Sequence, residues 1–328
     1  MLDYSRVIEG SRAFQTIDLD ISRSRLSHAY LFVSSDENYL KQFSEMVAKK
    51  FINLNDGINA EKNNLRIEKR IHPDVMFFGE EKNIDTATVA DIVESSNVSP
   101  FEADKKIFVL FGAGKMNESA QNKLLKSIEE PPKNTFYLMN ATSTSKILQT
   151  ILSRVKRIDL DELKAEDISK MLEDKGVVSA KASIFANCAN GNGSFAEKLA
   201  TDDGFIEFFN NIVTCLFEIN GSRDVLKYSN LFSAKTVDKE EFINVVQLLL
   251  RDLMMILSGR EELVICKNVL AKLKVISSSV TLESVSSLVA LCYEEKKKLA
   301  FNVNSTAVVD DFLFKLAEVK VKCRRLSV

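Results

Sequence analysis

With 328 residues, 45% of them hydrophobic and 27% charged, and with only 11 Gly and 4 Pro, the chain has apolar material for two or three packed domains and no compositional disorder. A formal net charge of -2 excludes a polycation, so any nucleic-acid contact has to come from a local basic patch. The five cysteines, Cys188, Cys215, Cys266, Cys292 and Cys323, are scattered and never form a CxxC pair, which argues against a zinc site or a disulfide framework and for reduced thiols.

Early charges (Asp3, Arg6, Glu9, Arg12) leave no signal-like apolar stretch, and the longest apolar region, "VVQLLLRDLMMIL", carries Arg251 and Asp252 in its middle. The expectation is a cytoplasmic protein with no membrane contact. Along the first half, short apolar runs alternate with helical patterns. The runs are "HAYLFV" (28–33), "DVMFF" (74–78), "KIFVLF" (106–111), "TFYLMN" (135–140) and "VKRIDL" (155–160). Several are apolar almost throughout, as strands buried on both faces of a parallel sheet are. Between them, "NYLKQFSEMVAKKFI" and "ESAQNKLLKSIEE" read as helices, the second with Ala120, Leu124, Leu125 and Ile128 on one face. This alternation predicts an α/β domain of doubly wound type over 1–160.

After residue 160 the strand signals stop. "KAEDISKMLEDKG" reads as a helix closed by Gly176, and two short helices flank a Gly-Asn-Gly turn at 191–193, giving a small helical domain over 161–203. From 204 to 328 the pattern is helical throughout and predicts a terminal bundle. The fold class is therefore α/β plus all-α.

Three stretches in the first domain bear on chemistry. The first strand runs into "LFVSSDENYLKQF", where a nucleotide-binding α/β domain places a glycine-rich loop followed by Lys and Ser/Thr. Ser34, Glu37 and Tyr39 stand at the glycine positions, and Leu40 and Lys41 replace the Lys-Ser/Thr pair. Asp36 and Glu37 are expected to face the phosphates, where a like-charge contact at about 4 Å costs on the order of 4 kcal/mol at an effective dielectric near 20. The third strand should end in carboxylates to hold magnesium, but Phe111 and Gly112 stand there, followed by Gly114. Lastly, Ser153-Arg154 precedes the fifth strand, with Lys156 and Arg157 beyond it. Such a basic cluster reads either as a solvated edge or as an arginine aimed at a neighbour's phosphate, which its planar, always-charged fork suits. His28 and His72 show no nucleophile or metal partner in sequence; His72-Pro73-Asp74 reads as a strand-entry turn, and the terminal "KVKCRR" as a solvated helix end or a basic tail.

Taken together, "HAYLF", "HPD", "KMNESAQNKLLKSIEEPP", "TFYLMNATSTSKILQTILSR" and "LAFNVNSTAVVDDFLFKL" resemble the delta-prime family of bacterial DNA polymerase III clamp-loader subunits, of the AAA+ superfamily. The resemblance spans the chain and is densest over 105–154. It implies an AAA+ domain, a helical lid and a helical collar that holds five subunits together. It also implies a stator role beside gamma/tau and delta subunits, in a complex that sets a sliding clamp on primed DNA. Carried onto this chain, the family's Ser-Arg motif is Ser153 and Arg154, with Arg154 as an arginine finger acting in trans on the ATP of gamma/tau. The sensor-arginine position after Gly193-Ser194 is Ala196. Departures are Val155 in place of the Cys of Ser-Arg-Cys, Gln149 in Leu-Gln-Thr-Ile, and the absence of the four zinc cysteines from 51–72. The expectation is no bound ATP, no zinc and no catalysis in cis, with direct DNA contact in doubt because "DTATVADIVESS" has no Lys or Arg. The competing readings are an active gamma/tau-type ATPase and a divergent AAA+ adaptor outside replication.

Overall fold

Five parallel strands form the sheet of the first half, each starting or ending within a residue of its apolar run. They are β1 (Ala29–Val33), β2 (Val75–Phe78), β3 (Lys106–Leu110), β4 (Thr135–Ala141) and β5 (Lys156–Asp159), in the order β2-β3-β4-β1-β5. This computed structural model describes residues 1–234, 237–300 and 305–326. The "FNVN" part of the last family-like stretch, 301–304, therefore lies outside the described residues. Helices α1 (Ser5–Gly10), α2 (Arg12–Ser22), α3 (Glu37–Ile52), α4 (Ala60–Glu68), α5 (Thr86–Ser96), α6 (Glu118–Glu129) and α7 (Gln149–Leu152) complete the α/β part. The parallel sheet with helices on both faces is the α/β arrangement the sequence predicts for this part of the chain.

Alternation along each strand sorts the side chains onto two faces. Ala29, Leu31, Phe108, Leu110, Tyr137, Met139 and Ala141 pack with Val89 and Ile92 of α5, Ala120, Leu124 and Ile128 of α6, and Ile151 of α7. On the other face, Phe32 meets Phe43 of α3 edge-on with centroids 4.8 Å apart, Tyr30 meets Phe51 at 5.9 Å, and Phe14 of α2 meets Phe43 at 6.0 Å. The inner strands β3, β4 and β1 are buried almost throughout. Full burial on both faces does not extend to β2 and β5, because each has a neighbour on one edge only.

By its internal contacts the chain divides into two units, Met1–Asp167 with Gly191–Phe195, and Ile168–Asn190 with Ala196–Val328. The helices here are α8 (Ala165–Asp174), α9 (Ser179–Cys188), α10 (Gly193–Thr201), α11 (Asp203–Glu218), α12 (Ser222–Phe232), α13 (Lys239–Leu257), α14 (Leu270–Ser277), α15 (Leu282–Ala300) and α16 (Ser305–Leu326). Gly176, with φ of +87°, closes α8 as the sequence predicts. In the second unit Phe242 of α13 packs against Phe232 of α12 at 4.9 Å and Phe312 of α16 at 5.9 Å. Lys320, read from sequence as part of a basic helix end, is buried. Its ammonium donates to the carbonyls of Leu216 (2.7 Å) and Phe217 (2.9 Å) in the last turn of α11, where backbone acceptors lack helical partners. Among the described residues no single helix is long and apolar enough to cross a membrane.

The His72-Pro73-Asp74 turn does more than enter β2. Asp74 is buried, and its carboxylate accepts from the amides of Phe101 (2.6 Å), Glu102 (2.9 Å) and Ala103 (2.8 Å), fixing the segment that leads to β3. His72 is also buried. Its Nδ1 accepts from the Asp74 amide at 3.2 Å, which leaves Nε2–H facing Glu102 at 3.5 Å. Burial, and then the nearby Arg66, push the His72 pKa below its ordinary 6.5, so the fold holds the ring neutral. As pH falls through 6.5 the unfolded chain therefore takes up a proton that the native chain refuses. Stability should fall with it, by at most about 1.4 kcal/mol per pH unit for one group. Denaturant unfolding from pH 7.5 to 5 should show this loss in the wild type and a flatter profile in His72→Gln; equal profiles would remove His72 from the acid response.

Candidate functional site

The loop from β1 into α3 is built around Asp36. A helix start leaves backbone N–H groups without partners and carries partial positive charge, so the nearest carboxylate is drawn onto it. Asp36 Oδ1 accepts from the amides of Asn38 and Tyr39, both at 3.0 Å. The same carboxylate accepts from Tyr4 Oη (3.0 Å), Ser194 N (3.1 Å) and Ser194 Oγ (2.5 Å), and its residue is 1% exposed. This corrects the sequence expectation that Asp36 faces outward to a phosphate: five donors hold it inward.

The other loop residues follow from that capture. Ser34 Oγ accepts from the Asp36 amide at 3.2 Å. Glu37 is exposed and pairs with Lys115 at 2.9 Å. Tyr39 and Leu40 are buried, and the Tyr39 ring stacks on Tyr4 with centroids 5.5 Å apart. Burial raises the Tyr39 hydroxyl to about 12. Lys41 is half-buried. Asn192 Nδ2 donates to the Ser35 carbonyl at 3.0 Å, so 191–195 is tied to the loop twice. A Cβ at Gly193 would lie 2.7 Å from Tyr4 Oη, which explains a glycine there. Ala196 is fully buried.

At the end of β3, Phe111 is buried against Phe77, stacked at 6.0 Å, and its amide donates to the Phe78 carbonyl at 2.8 Å. Packing is the role the sequence suggests for it. Gly112 takes a φ of +69°, open to glycine at little cost, and its amide donates to Asn140 Oδ1 at 3.0 Å. Positions 111–114 thus contribute no carboxylate. Among the described residues no group of three or more His, Cys, Asp or Glu side chains could hold a metal ion.

The third stretch is organised by α6. Asn117 caps its start by accepting from the Ala120 amide at 2.8 Å. Buried Gln121 donates to the carbonyls of Met116 (3.0 Å) and Lys146 (2.9 Å) and accepts from the Leu148 amide (2.8 Å). It pins the segment that leads into α7, and α7 leads to Ser153 and Arg154. At the other end of α6, His28 Nε2 donates to the Ile128 carbonyl at 2.7 Å, and Glu130 leaves helical geometry before Pro131. Sequence reasoning did not single out Gln121, or His28 as a cap. Both sit inside the motifs that carried the resemblance, but their partners lie far off in sequence.

Arg154 is 41% exposed. Its Nε lies 2.8 Å from Glu129 Oε1, and its Nη1 donates to the Thr150 carbonyl (3.0 Å) and Ser153 Oγ (3.1 Å). Exposed pairs of this kind are worth about 0.2–1 kcal/mol. The rest of the basic cluster is engaged locally, Lys156 with Asp20 and Arg157 with Asp159, both at 2.6 Å.

The DNA polymerase III, delta subunit family matches residues 10–164. The chain is 27% identical over 318 residues to the DNA polymerase III subunit delta' of Bacillus subtilis, covering 94% of this chain and 96% of that one. It is also 27% identical over 158 residues to subunit tau of Escherichia coli, covering 47% of this chain and 24% of that one. Among solved structures, a gamma subunit-related protein of Thermotoga maritima aligns over 93% of this chain and 99% of its own, at 16% identity and a TM-score of 0.46, too distant to add to the sequence match. The chain is thus similar to delta-prime subunits of DNA polymerase III, to that of Bacillus subtilis over nearly its whole length.

Proposed function

We propose that the chain is a stator subunit of a DNA polymerase III clamp loader. It packs beside gamma/tau and delta subunits, helps set the sliding clamp on primed DNA, and contributes Arg154, with Ser153 beside it, to the ATP of the adjacent gamma/tau subunit. In this reading it binds neither ATP nor zinc, reaches DNA through the complex, and has no catalysis in cis. The observation that carries the reading is the Asp36 carboxylate: the amides at the start of α3 that would serve a phosphate already have an anion. The neutral Phe111-Gly112 end of β3 supports it, since no carboxylate stands there to hold magnesium. The exposed arginine supports the action in trans.

Similarity to tau over about half the chain favours one competing reading, an active gamma/tau-type ATPase. That reading needs ATP at 34–41. Calorimetric titration should give no ATP binding, and micromolar affinity would return the ATPase reading. Asp36→Ala should cost about 1–3 kcal/mol in denaturant unfolding, because it strands buried donors and removes a helix cap. An unchanged midpoint would mean that the network contributes nothing.

Light scattering on size-exclusion fractions of the chain with gamma/tau and delta should show one complex, for wild type and Arg154→Ala alike. Failure to co-elute would instead favour an AAA+ adaptor outside replication. In the complex, Arg154→Ala should slow DNA-stimulated hydrolysis at the site it serves by about 10³-fold or more, the range for a finger in trans. A wild-type rate would remove the finger role.

A further inference from the structure

We infer that Glu129 is the positioning residue for Arg154: its carboxylate holds the guanidinium over its own chain until a phosphate on a neighbouring subunit takes it over. This rests on the proposed finger role of Arg154 and goes beyond it by naming what sets the arginine's availability.

Glu129 is the last residue of α6, where the helix presents unpaired carbonyls and partial negative charge. A carboxylate there has the wrong sign to stabilise the helix, so helix stability gives no account of it. Its position is nevertheless fixed from both sides, by the His28 cap on the Ile128 carbonyl and by the turn into Pro131. What faces the carboxylate is Arg154, with Nε 2.8 Å from Oε1. Of the three groups that hold the guanidinium, only Glu129 is charged; the Thr150 carbonyl and Ser153 Oγ are neutral. The neighbouring cations do not share it, since Lys156 and Arg157 have carboxylates of their own in Asp20 and Asp159.

Both side chains of the pair are about two-fifths exposed, at 41% and 40%, so water and salt weaken it. A nucleotide phosphate carries more charge and accepts two parallel N–H bonds from the same fork. The exchange therefore runs toward the phosphate whenever one is presented, and Glu129 acts as its competitor. A competitor that is displaced before chemistry raises the ATP concentration needed without changing the rate at saturation.

The test uses the loader reconstituted from this chain, gamma/tau, delta and the sliding clamp on primed DNA, with hydrolysis followed against ATP concentration. Glu129→Gln should lower KM by about 1.4- to 5-fold, the range that release of an exposed pair allows, with kcat unchanged. In an Arg154→Ala background the same substitution should do nothing. An unchanged KM in Glu129→Gln, where Arg154→Ala still slows hydrolysis, overturns the inference and leaves the finger standing. An Arg154→Ala loader at the wild-type rate overturns the finger reading itself. Nuclear relaxation of the Arg154 Nε–H vector in the isolated chain tests the pair without the complex. The vector should be restrained in the wild type and looser in Glu129→Gln, and a freely moving vector in the wild type would overturn the inference.

Discussion

Five donors converge on the Asp36 carboxylate, and the corner between β1 and α3 is built around it. The start of α3 follows directly from β1, so its amides open beside the inner edge of a buried sheet and need an acceptor there. Asp36 supplies it from within the chain, and Tyr4 and Ser194 complete the shell. Tyr39, in the first turn of the helix, then packs between the Tyr4 ring and Phe43. Gly193 is glycine because the Tyr4 hydroxyl approaches its backbone too closely for a side chain. The conformation of this corner is written into side chains, so no ligand is required to hold it.

Under the proposed finger role the opposite requirement applies at α7, where an arginine would have to be exposed and still well aimed. The sheet provides the rigidity: β4 is buried along nearly its full length, and α6 lies against it with Ala120, Leu124 and Ile128 in the core. Gln121 transfers that rigidity to a loop with no core residues of its own for most of its length. A buried amide that uses both its donor and its acceptor groups on backbone can fix a segment without closing over it. His28, from the residue before β1, does the same at the helix end. The motif residues around 105–154 thus serve one geometric end, and the arginine at its tip is held only by an exposed ion pair and two bonds to neutral acceptors.

Much of this was legible in the sequence, and the remainder was not, for identifiable reasons. The five apolar runs mark the strands because burial on both faces leaves little polar interruption; β2 and β5, at the edges, are less buried than the inner three. Phe111, read as a packing aromatic, is buried. Asp36 was not legible in the same way. Its residue type announced a negative charge in a loop, but its direction depends on Tyr4 and Ser194, which lie 32 and 158 residues away. Lys320 misled for the same reason: a lysine near a helix end looks solvated until the end of α11, which takes up its ammonium, is placed. Helix α4, "AEKNNLRIE", is so polar that its periodicity is faint.

The two ends of the site differ in how much it takes to change them, and that contrast is itself an argument about function. Breaking the Asp36 shell strands several buried groups at once, each expensive to leave without a partner. Moving Arg154 breaks one exposed ion pair and two bonds to neutral acceptors, all replaceable by water. A subunit that had to respond to its own nucleotide would need an open phosphate loop beside β1. Here the corner beside β1 is fixed and the arginine beside β5 is movable. That distribution of stiffness is the one the proposed stator role asks for, a chain that holds its shape while its arginine answers to a phosphate on a neighbour.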